Sequence, residues 1–463
     1  MSFAVPEVSR WRSLADSGGM IRNPIEVFSR HTRELGETFY FYFGGVKKAL
    51  VTSNPEVLRH VLKTNYENYH KSEIQIRRMG HFLGKGLLTT HGEPWKVQRR
   101  LIQQGFHREQ LAILCRIMRE SLDETLAEFD RAITQGPVDI YPRMMQMTFR
   151  MVSRSLFSTA FDSRDADLIS RTICEIQEFM VRQIVQPYLD PWFAINGELA
   201  KYDRMRERGD AILMRAISRR RAENEAGETS HGDLLQMLMD ARYADTGEGM
   251  DDQTILSESM QLLVAGHETS SNALCWTLLL LATHPETLAR VKAEVESVLG
   301  GRPLELADVP RMEFAAQAID ESLRLFPPFW MVDRMALSDD EAGGVEIPKG
   351  TTVIAFIHGV HHSAKYWDAP EEFRPARFER EAKKRHAAFT HLPFGGGPRG
   401  CIGGNYAMLQ MLMILSELVR RYDFSLAPGT PVEPRPMIIL RPKDGIRMTF
   451  SPAESRAREA AFA

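Results

Sequence analysis

Four cysteines in 463 residues, at positions 115, 174, 275 and 401, are too few and too scattered for a disulfide framework. That usage suits a reducing compartment. Long apolar runs are also missing. A membrane-crossing helix needs about 18 uninterrupted apolar residues, and the nearest stretch, Ala273 to Ala282, reaches about half that length inside a polar-punctuated segment. Met1 to Arg12 has neither the apolar region nor the cleavage pattern of a secretory leader. Charge of one sign is not in excess: 58 Lys and Arg stand against 61 Asp and Glu, a net of −3, which gives no sign of nucleic-acid binding. The runs Arg219-Arg220-Arg221 and Lys383-Lys384-Arg385 are short and local. Repeats and low-complexity tracts are absent. Gly84-Lys85 has the wrong spacing for a phosphate loop, and no Ser or Thr follows the Lys. A cytoplasmic protein without a stable membrane anchor is expected.

What is present is ordinary globular material, 43% hydrophobic and 26% charged. Length alone suggests about three domains. The motifs described below spread over residues 95–403, so one large domain over 1–463 is expected instead. Phe39–Phe43, Gly44-Gly45 and Ala49–Thr52 predict a β-hairpin, and Ser53-Asn54-Pro55-Glu56 predicts a helix start. Residues 71–94 predict loop. Helical periodicity covers 109–133, 141–160, 164–186, 200–226, 252–283, 285–299 and 312–325, with a polar linker from Glu223 to Gly232. Strand signals lie around the turn Pro348-Lys349-Gly350, and short strands are expected from Phe424 to Phe450. The fold class is mainly α with small β-sheets. Its β-rich portion spans about 37–60 and 330–380; its helical portion spans about 95–326 and 401–420.

Chemistry concentrates in Phe394-Gly395-Gly396-Gly397-Pro398-Arg399-Gly400-Cys401-Ile402-Gly403. The glycines let backbone approach something flat and bulky. An apolar helix, Ile402 to Leu418, would aim its free N–H groups at Cys401 and favour the thiolate, the form that ligates metal. Arg399 offers a cation nearby, and Phe394 can cover the sulfur.

A second cluster interrupts the long apolar helix, Ile255 to Thr283: Ala265-Gly266-His267-Glu268-Thr269. Polar groups inside a buried helix cost stability unless satisfied. Gly266 removes a side chain where something must approach; Thr269 can donate sideways or bond the carbonyl one turn back; Glu268 supplies a titratable carboxylate. His267 reads as structural or surface-facing. Elsewhere, Glu321 and Arg324 share a helix face, as do Trp95 and Arg99. His361 and His362 read as neighbours on an extended segment, pointing to opposite faces.

The cysteine stretch (Phe, two residues, Gly, one, Arg, one, Cys, one, Gly) resembles the heme-binding signature of the cytochrome P450 family, whose heme is held by a cysteine thiolate. Ala265–Thr269 resembles that family's oxygen-activation motif. Glu321-Ser322-Leu323-Arg324 and Phe373–Phe378 resemble its ion-pair motifs, with Arg377 as third member and Ala376 where Glu is usual. The resemblance covers nearly the whole chain. It implies a triangular, helix-rich prism around a buried heme b. It implies Cys401 as axial iron ligand and Trp95, Arg99, Arg334 and Arg399 as propionate partners. Phe394, Ala265 and Gly266 would lie against the heme, and Glu268 and Thr269 would deliver protons during oxygen activation. His361 falls where the family has its Asn/His–Arg–Asp–Pro stretch, altered here to His362-Ser363-Ala364.

The implied activity is monooxygenation: one atom of O2 enters a hydrophobic small molecule such as a fatty acid, alkane, terpenoid or steroid. The substrate-side residues mapped by motif order are Met79, Phe82, Leu87, Phe179, Met180, Leu262, Leu263, Ala265, Phe329, Trp330 and Met331. Electrons are expected from NAD(P)H through a separate ferredoxin or flavodoxin with its reductase. Lys96, Arg100, Arg108, Lys383, Lys384 and Arg385 are expected to form the docking patch. A monomer of the soluble bacterial type is implied. Two rivals stay open: a peroxide-driven heme-thiolate enzyme, marked by turnover with peroxide but not with redox partners, and a non-catalytic heme-binding protein, marked by absence of oxygen consumption.

Overall fold

The computed structural model describes residues 5–158, 161, 163–227 and 232–453. Two compact units emerge from the chain's contacts. One comprises Met1–His70, Glu124–Met145 and Thr269–Ala463; the other comprises Lys71–Asp123 and Gln146–Glu268.

The first unit carries the sheets. Its five-stranded sheet has the order Thr38–Phe43, Lys47–Thr52, Thr352–Ala355, Val332–Ala336, Tyr69–His70. The predicted hairpin is present, with Phe39 opposite Val51 and Phe41 opposite Ala49. Alternation puts Phe39 and Phe41 on the buried face, against Phe28, Trp330 and Phe356. The next helix begins at Pro55, capped by Asn54, whose side chain accepts from the Glu56 and Val57 N–H groups. Strand Val345–Ile347 pairs with Asp340–Ala342, whereas Thr352–Ala355 joins the main sheet, so the Pro348–Gly350 turn connects two different sheets.

A second sheet joins Tyr422–Leu426, Arg447–Pro452 and Val138–Asp139. The last of these strands has no sequence signal. Asp139 fixes it by accepting from the N–H groups of Tyr141 and Ile446, each at 3.0 Å. Helices Pro285–Leu299, Glu313–Leu325 and Gly404–Arg421 complete this unit.

The second unit is helical. Helices Gly92–Gln103, Ser163–Val185 and Glu198–Glu225 lie within it; Arg108–Ile133 and Ile140–Phe157 each give it part of their length. Residues 71–94 are not simply loop: Ile74–Met79 forms a wide helical turn and Gly80–Leu83 a short helix. Of the expected linker, residues up to Glu225 are helix and 228–231 lie outside the described residues, as do 159–160 of the expected helix 141–160. Arg220 is buried and ties the unit together through both oxygens of Asp233, each at 2.8 Å, and through the Phe157 carbonyl. Phe179 stacks on Tyr202 at 4.2 Å and meets Phe82 and Phe193 edge-on.

The long helix, Asp252–Thr283, belongs to both units: residues up to Glu268 to one, Thr269 onward to the other. It stops before Pro285, whose ring cannot continue that helix and instead opens the next one, Pro285–Leu299. No helix among the described residues is long and apolar enough to cross a membrane.

Candidate functional site

Phe394 to Cys401 forms a closed loop. The Cys401 N–H donates to the Phe394 carbonyl at 2.8 Å, and the Gly400 N–H donates to the Gly397 carbonyl at 3.0 Å. Two glycines are required. Gly395 and Gly397 sit at φ +72° and +68°, the left-handed region side chains rarely adopt. At Gly397 a Cβ would also lie 2.0 Å from the Leu62 carbonyl oxygen, because the loop rests on the turn His60–Thr64. The helix after the loop starts at Gly404 rather than Ile402. Its cap, Gly403, supplies no side-chain acceptor for the first N–H groups. Three residues before the helix, Cys401 is exposed. A thiol beside a helix start whose cap has no side chain to occupy it is in a place that stabilises negative charge. Phe394 is half-buried and its ring lies along Gly404, 3.7 Å from where a Cβ would stand.

Two cations share this unit. Arg334 lies on strand Val332–Ala336, only 9% exposed, and donates to the Asp333 carbonyl at 2.7 Å. Among the described residues it makes no ion pair. Burial holds its guanidinium below the usual arginine range. Arg399 is also held down, to about 10, first by burial and then by the charge of Arg334. An anion would offset the repulsion between these two cations. A carboxylate arm such as a heme propionate meets that need, and Cys401 supplies a ligand of the right softness for iron in the same loop as Arg399. The residues present therefore fit a thiolate-held heme.

Behind the loop lies the ion-pair core. Glu321 and Arg324 are fully buried; Arg324 donates to both Glu321 oxygens, at 2.7 and 2.9 Å. Arg377 adds a bond to Glu321 at 3.1 Å, and the Arg374 N–H adds another at 3.0 Å. Arg324 also donates to the carbonyls of His361 and Glu372. His361 lies on the short helix Ile357–His361, not on an extended segment, and is fully buried. Its Nδ1 meets the Arg324 carbonyl at 3.1 Å and its Nε2 accepts from the Leu392 N–H at 2.8 Å. It therefore ties the ion-pair helix to the start of the cysteine loop. His362 bonds Glu371 and the Leu325 carbonyl and stacks on His358 at 3.9 Å.

In the long helix, Ala265 and Thr269 are one turn apart and both half-buried, whereas His267 and Glu268 are buried. The close approach that Gly266 permits is that of Val152 on helix Ile140–Phe157; a Cβ at 266 would come within 3.1 Å of it. His267 is not surface-facing. Its Nδ1 donates to the Leu263 carbonyl at 2.8 Å, Phe149 packs edge-on to the ring, and burial lowers its pKa to about 4. Trp95 is buried on helix Gly92–Gln103, with Arg99 half-buried one turn later.

Phe179, Met180 and Leu263 are buried in the second unit. Trp330 packs on Phe28 and donates to the Met437 carbonyl at 2.8 Å, while Phe329 is 37% exposed. Of the expected basic patch, Arg100, Arg108 and Arg385 are exposed. Lys96, Lys383 and Lys384 are already paired, with Glu93, Asp320 and Glu381. Sequence reasoning missed Lys71, Glu258 and Gln261, three buried polar residues in the second unit. Their only signal is a charge and an amide at polar-unfriendly positions opposite a glycine-rich stretch.

A model of the family described as Cytochrome P450 matches residues 15–450. Cyclooctatin synthase of Streptomyces melanosporofaciens is 30% identical over 94% of this chain and 95% of its own length. Cyclooctat-9-en-7-ol 5-monooxygenase of the same organism is 30% identical over 83% of this chain and 82% of its own. Cytochrome P450 734A1 of Arabidopsis thaliana is 31% identical over 91% of this chain and 82% of its own. Among solved structures, the cytochrome P450DA heme domain superposes with a TM-score of 0.84 over 99% of this chain and 98% of its own, at 23% identity.

Proposed function

The chain belongs to the cytochrome P450 family and is a monooxygenase, and from that premise we propose the roles of its residues and the kind of molecule it oxidises. The cofactor is heme b, with Cys401 as the iron ligand. A heme so held supplies the redox-active iron at which O2 is activated, one atom entering the substrate and the other leaving as water. Cys401 stays anionic because the following helix start favours negative charge. Arg334 and Arg399 neutralise propionate charge, and Trp95 and Arg99 donate hydrogen bonds to it. Ala265 gives a small apolar surface on the same helix face as Thr269. The Thr269 hydroxyl holds a proton at the oxygen site, and the Glu268 carboxylate replenishes it. Phe394 and Gly266 belong to the same machinery, Gly266 by letting the long helix sit close to Val152.

The substrate is a hydrophobic small molecule. Apolar residues such as Leu87 and Met79 support this, and so does a relative whose name makes an unsaturated alcohol its substrate. Electrons come from NAD(P)H through a separate ferredoxin or flavodoxin and its reductase, for whose docking exposed basic residues such as Arg100 and Arg108 are available. The single domain acts as a cytoplasmic monomer, and no nucleic acid is involved.

The observation that carries this reading is the Cys401 thiol in its glycine loop, with buried Arg334 and half-buried Arg399, two mutually repelling cations, in the same unit. The deciding experiment is Cys401→Ser. The variant is expected to lose the red-shifted absorption band of the reduced, carbon-monoxide-treated protein, and with it oxygen consumption coupled to product. Retention of that band in the variant would overturn the assignment.

A further inference from the structure

Residues 83–90 are held on the long helix by a set of buried side-chain-to-backbone bonds. The Leu87 N–H donates to Glu258 Oε2 at 3.1 Å, and the Leu87 carbonyl accepts from Lys71 Nζ at 2.7 Å. The next N–H, of Leu88, donates to Gln261 Oε1 at 2.7 Å. Gln261 Nε2 in turn donates to the carbonyls of Leu83 and Gly84, at 3.1 and 3.2 Å. Packing is as tight as the bonding: a Cβ at Gly84 would stand 2.4 Å from Ser257 Oγ, and one at Gly86 would stand 2.6 Å from Gln261 Nε2. Glu258, Gln261 and Lys71 are 0%, 2% and 6% exposed. Glu258 Oε1 is buried and has no hydrogen-bond partner among the described residues.

We propose that Glu258 and Gln261 are positioning residues that latch residues 83–90, and with them the substrate-side residue Leu87, onto the long helix, and that proton binding by Glu258 keeps the latch shut. The substrate-side role of Leu87 rests on the function proposed above; the latch itself does not. A carboxylate with one oxygen lacking a partner is poorly solvated when ionised, and a proton removes that cost. In the closed state burial raises the Glu258 pKa to about 7, opposed by the Leu87 N–H and the charge of Lys71. Among the described residues the other titratable group that feels it is Tyr243, itself raised by burial first and by the charges of Asp251, Glu258 and Asp245.

Opening would expose Glu258 and return it toward 4.5, its ordinary value. A proton is then bound more tightly in the closed form. The closed form is favoured at low pH and loses that advantage as pH rises toward 7. From those two values the opening equilibrium rises roughly tenfold between pH 6 and pH 8.

The test is amide hydrogen exchange of residues 83–90 in the full-length protein, corrected for intrinsic pH dependence. The wild type is expected to show about tenfold more opening at pH 8 than at pH 6, with Glu258→Gln flat across that range. Gln261→Ala is expected to raise opening at both pH values by a similar factor while keeping the pH trend. A pH-independent wild type, or an unchanged trend in Glu258→Gln, overturns the latch. The measurement needs no turnover, so an inactive but pH-switching loop would refute the proposed function without touching this inference.

Discussion

Removing Glu321 tests the ion-pair core directly. Glu321→Leu leaves the fully buried Arg324 guanidinium with the His361 and Glu372 carbonyls, at 2.8 and 3.3 Å, and the face of Trp367, but with no counter-charge, and removes Arg377's carboxylate partner as well. Breaking one side of a buried pair costs about 3–5 kcal/mol, because the surviving charge is left in low dielectric. Against a total stability of about 5–15 kcal/mol that is about a fifth or more. The assay is urea unfolding followed by far-ultraviolet circular dichroism. The decisive arm is the double variant Glu321→Leu with Arg324→Met. If the cost is the uncompensated charge, removing the arginine recovers about 2 kcal/mol despite losing more polar contacts. A double variant less stable than Glu321→Leu alone would refute that reasoning and place the energy in Arg324's bonds to the carbonyls.

Gly397→Ala is expected to destabilise the cysteine loop and weaken heme retention, because its Cβ would meet the Leu62 carbonyl at 2.0 Å as well as paying about 1–2 kcal/mol for left-handed backbone. Gly429→Ala, at φ +71° with nothing within 4 Å, pays the second cost alone, so comparing their thermal midpoints isolates the clash. Acid should weaken the fold through His267. Its pKa falls from 6.5 to about 4 on burial, so the unfolded chain takes up a proton first; stability is full above pH 6.5 and about 3 kcal/mol is lost by pH 4. His267→Gln should flatten that part of a stability-versus-pH curve measured by urea titration. Thr269→Ala is expected to retain heme but release more hydrogen peroxide per NAD(P)H consumed; unchanged coupling of product to NAD(P)H would remove the role given to its hydroxyl.

Much of this was legible before any coordinates. The long helix 252–283 and its neighbour 285–299 follow from an apolar run ended by His284-Pro285, and the structure matches those bounds. The cysteine loop is legible because only glycine tolerates its backbone. Two-residue strands are not: Val138–Asp139 exists because Met448 and Arg447 lie across from it. Residues 74–83 read as loop because of the glycines around them, yet glycine there serves close packing on Ser257 and Gln261. The partners of Trp330, the Met437 carbonyl for its indole N–H and the aromatic cluster for its ring, lie too far away in sequence to be read from it. His361 needed the fold to show its partners, since both lie more than 30 residues away in sequence. Glu258 is one acid among many along the chain until burial singles it out.

The pairing of Lys47–Thr52 with Thr352–Ala355 has a consequence for how the protein is born. A ribosome releases the aromatic hairpin of residues 38–52 and then adds roughly 300 more residues before its parallel neighbour exists. At about 5–20 residues per second that is an interval on the order of 15–60 s. Throughout it, Phe39 and Phe41 have Phe28 but neither Trp330 nor Phe356 to cover them, and Lys47–Thr52 presents an open edge. Any early stop in translation upstream of residue 352 should therefore yield a sticky fragment that depends on chaperones, while a full-length chain closes that edge with its own late-made strand.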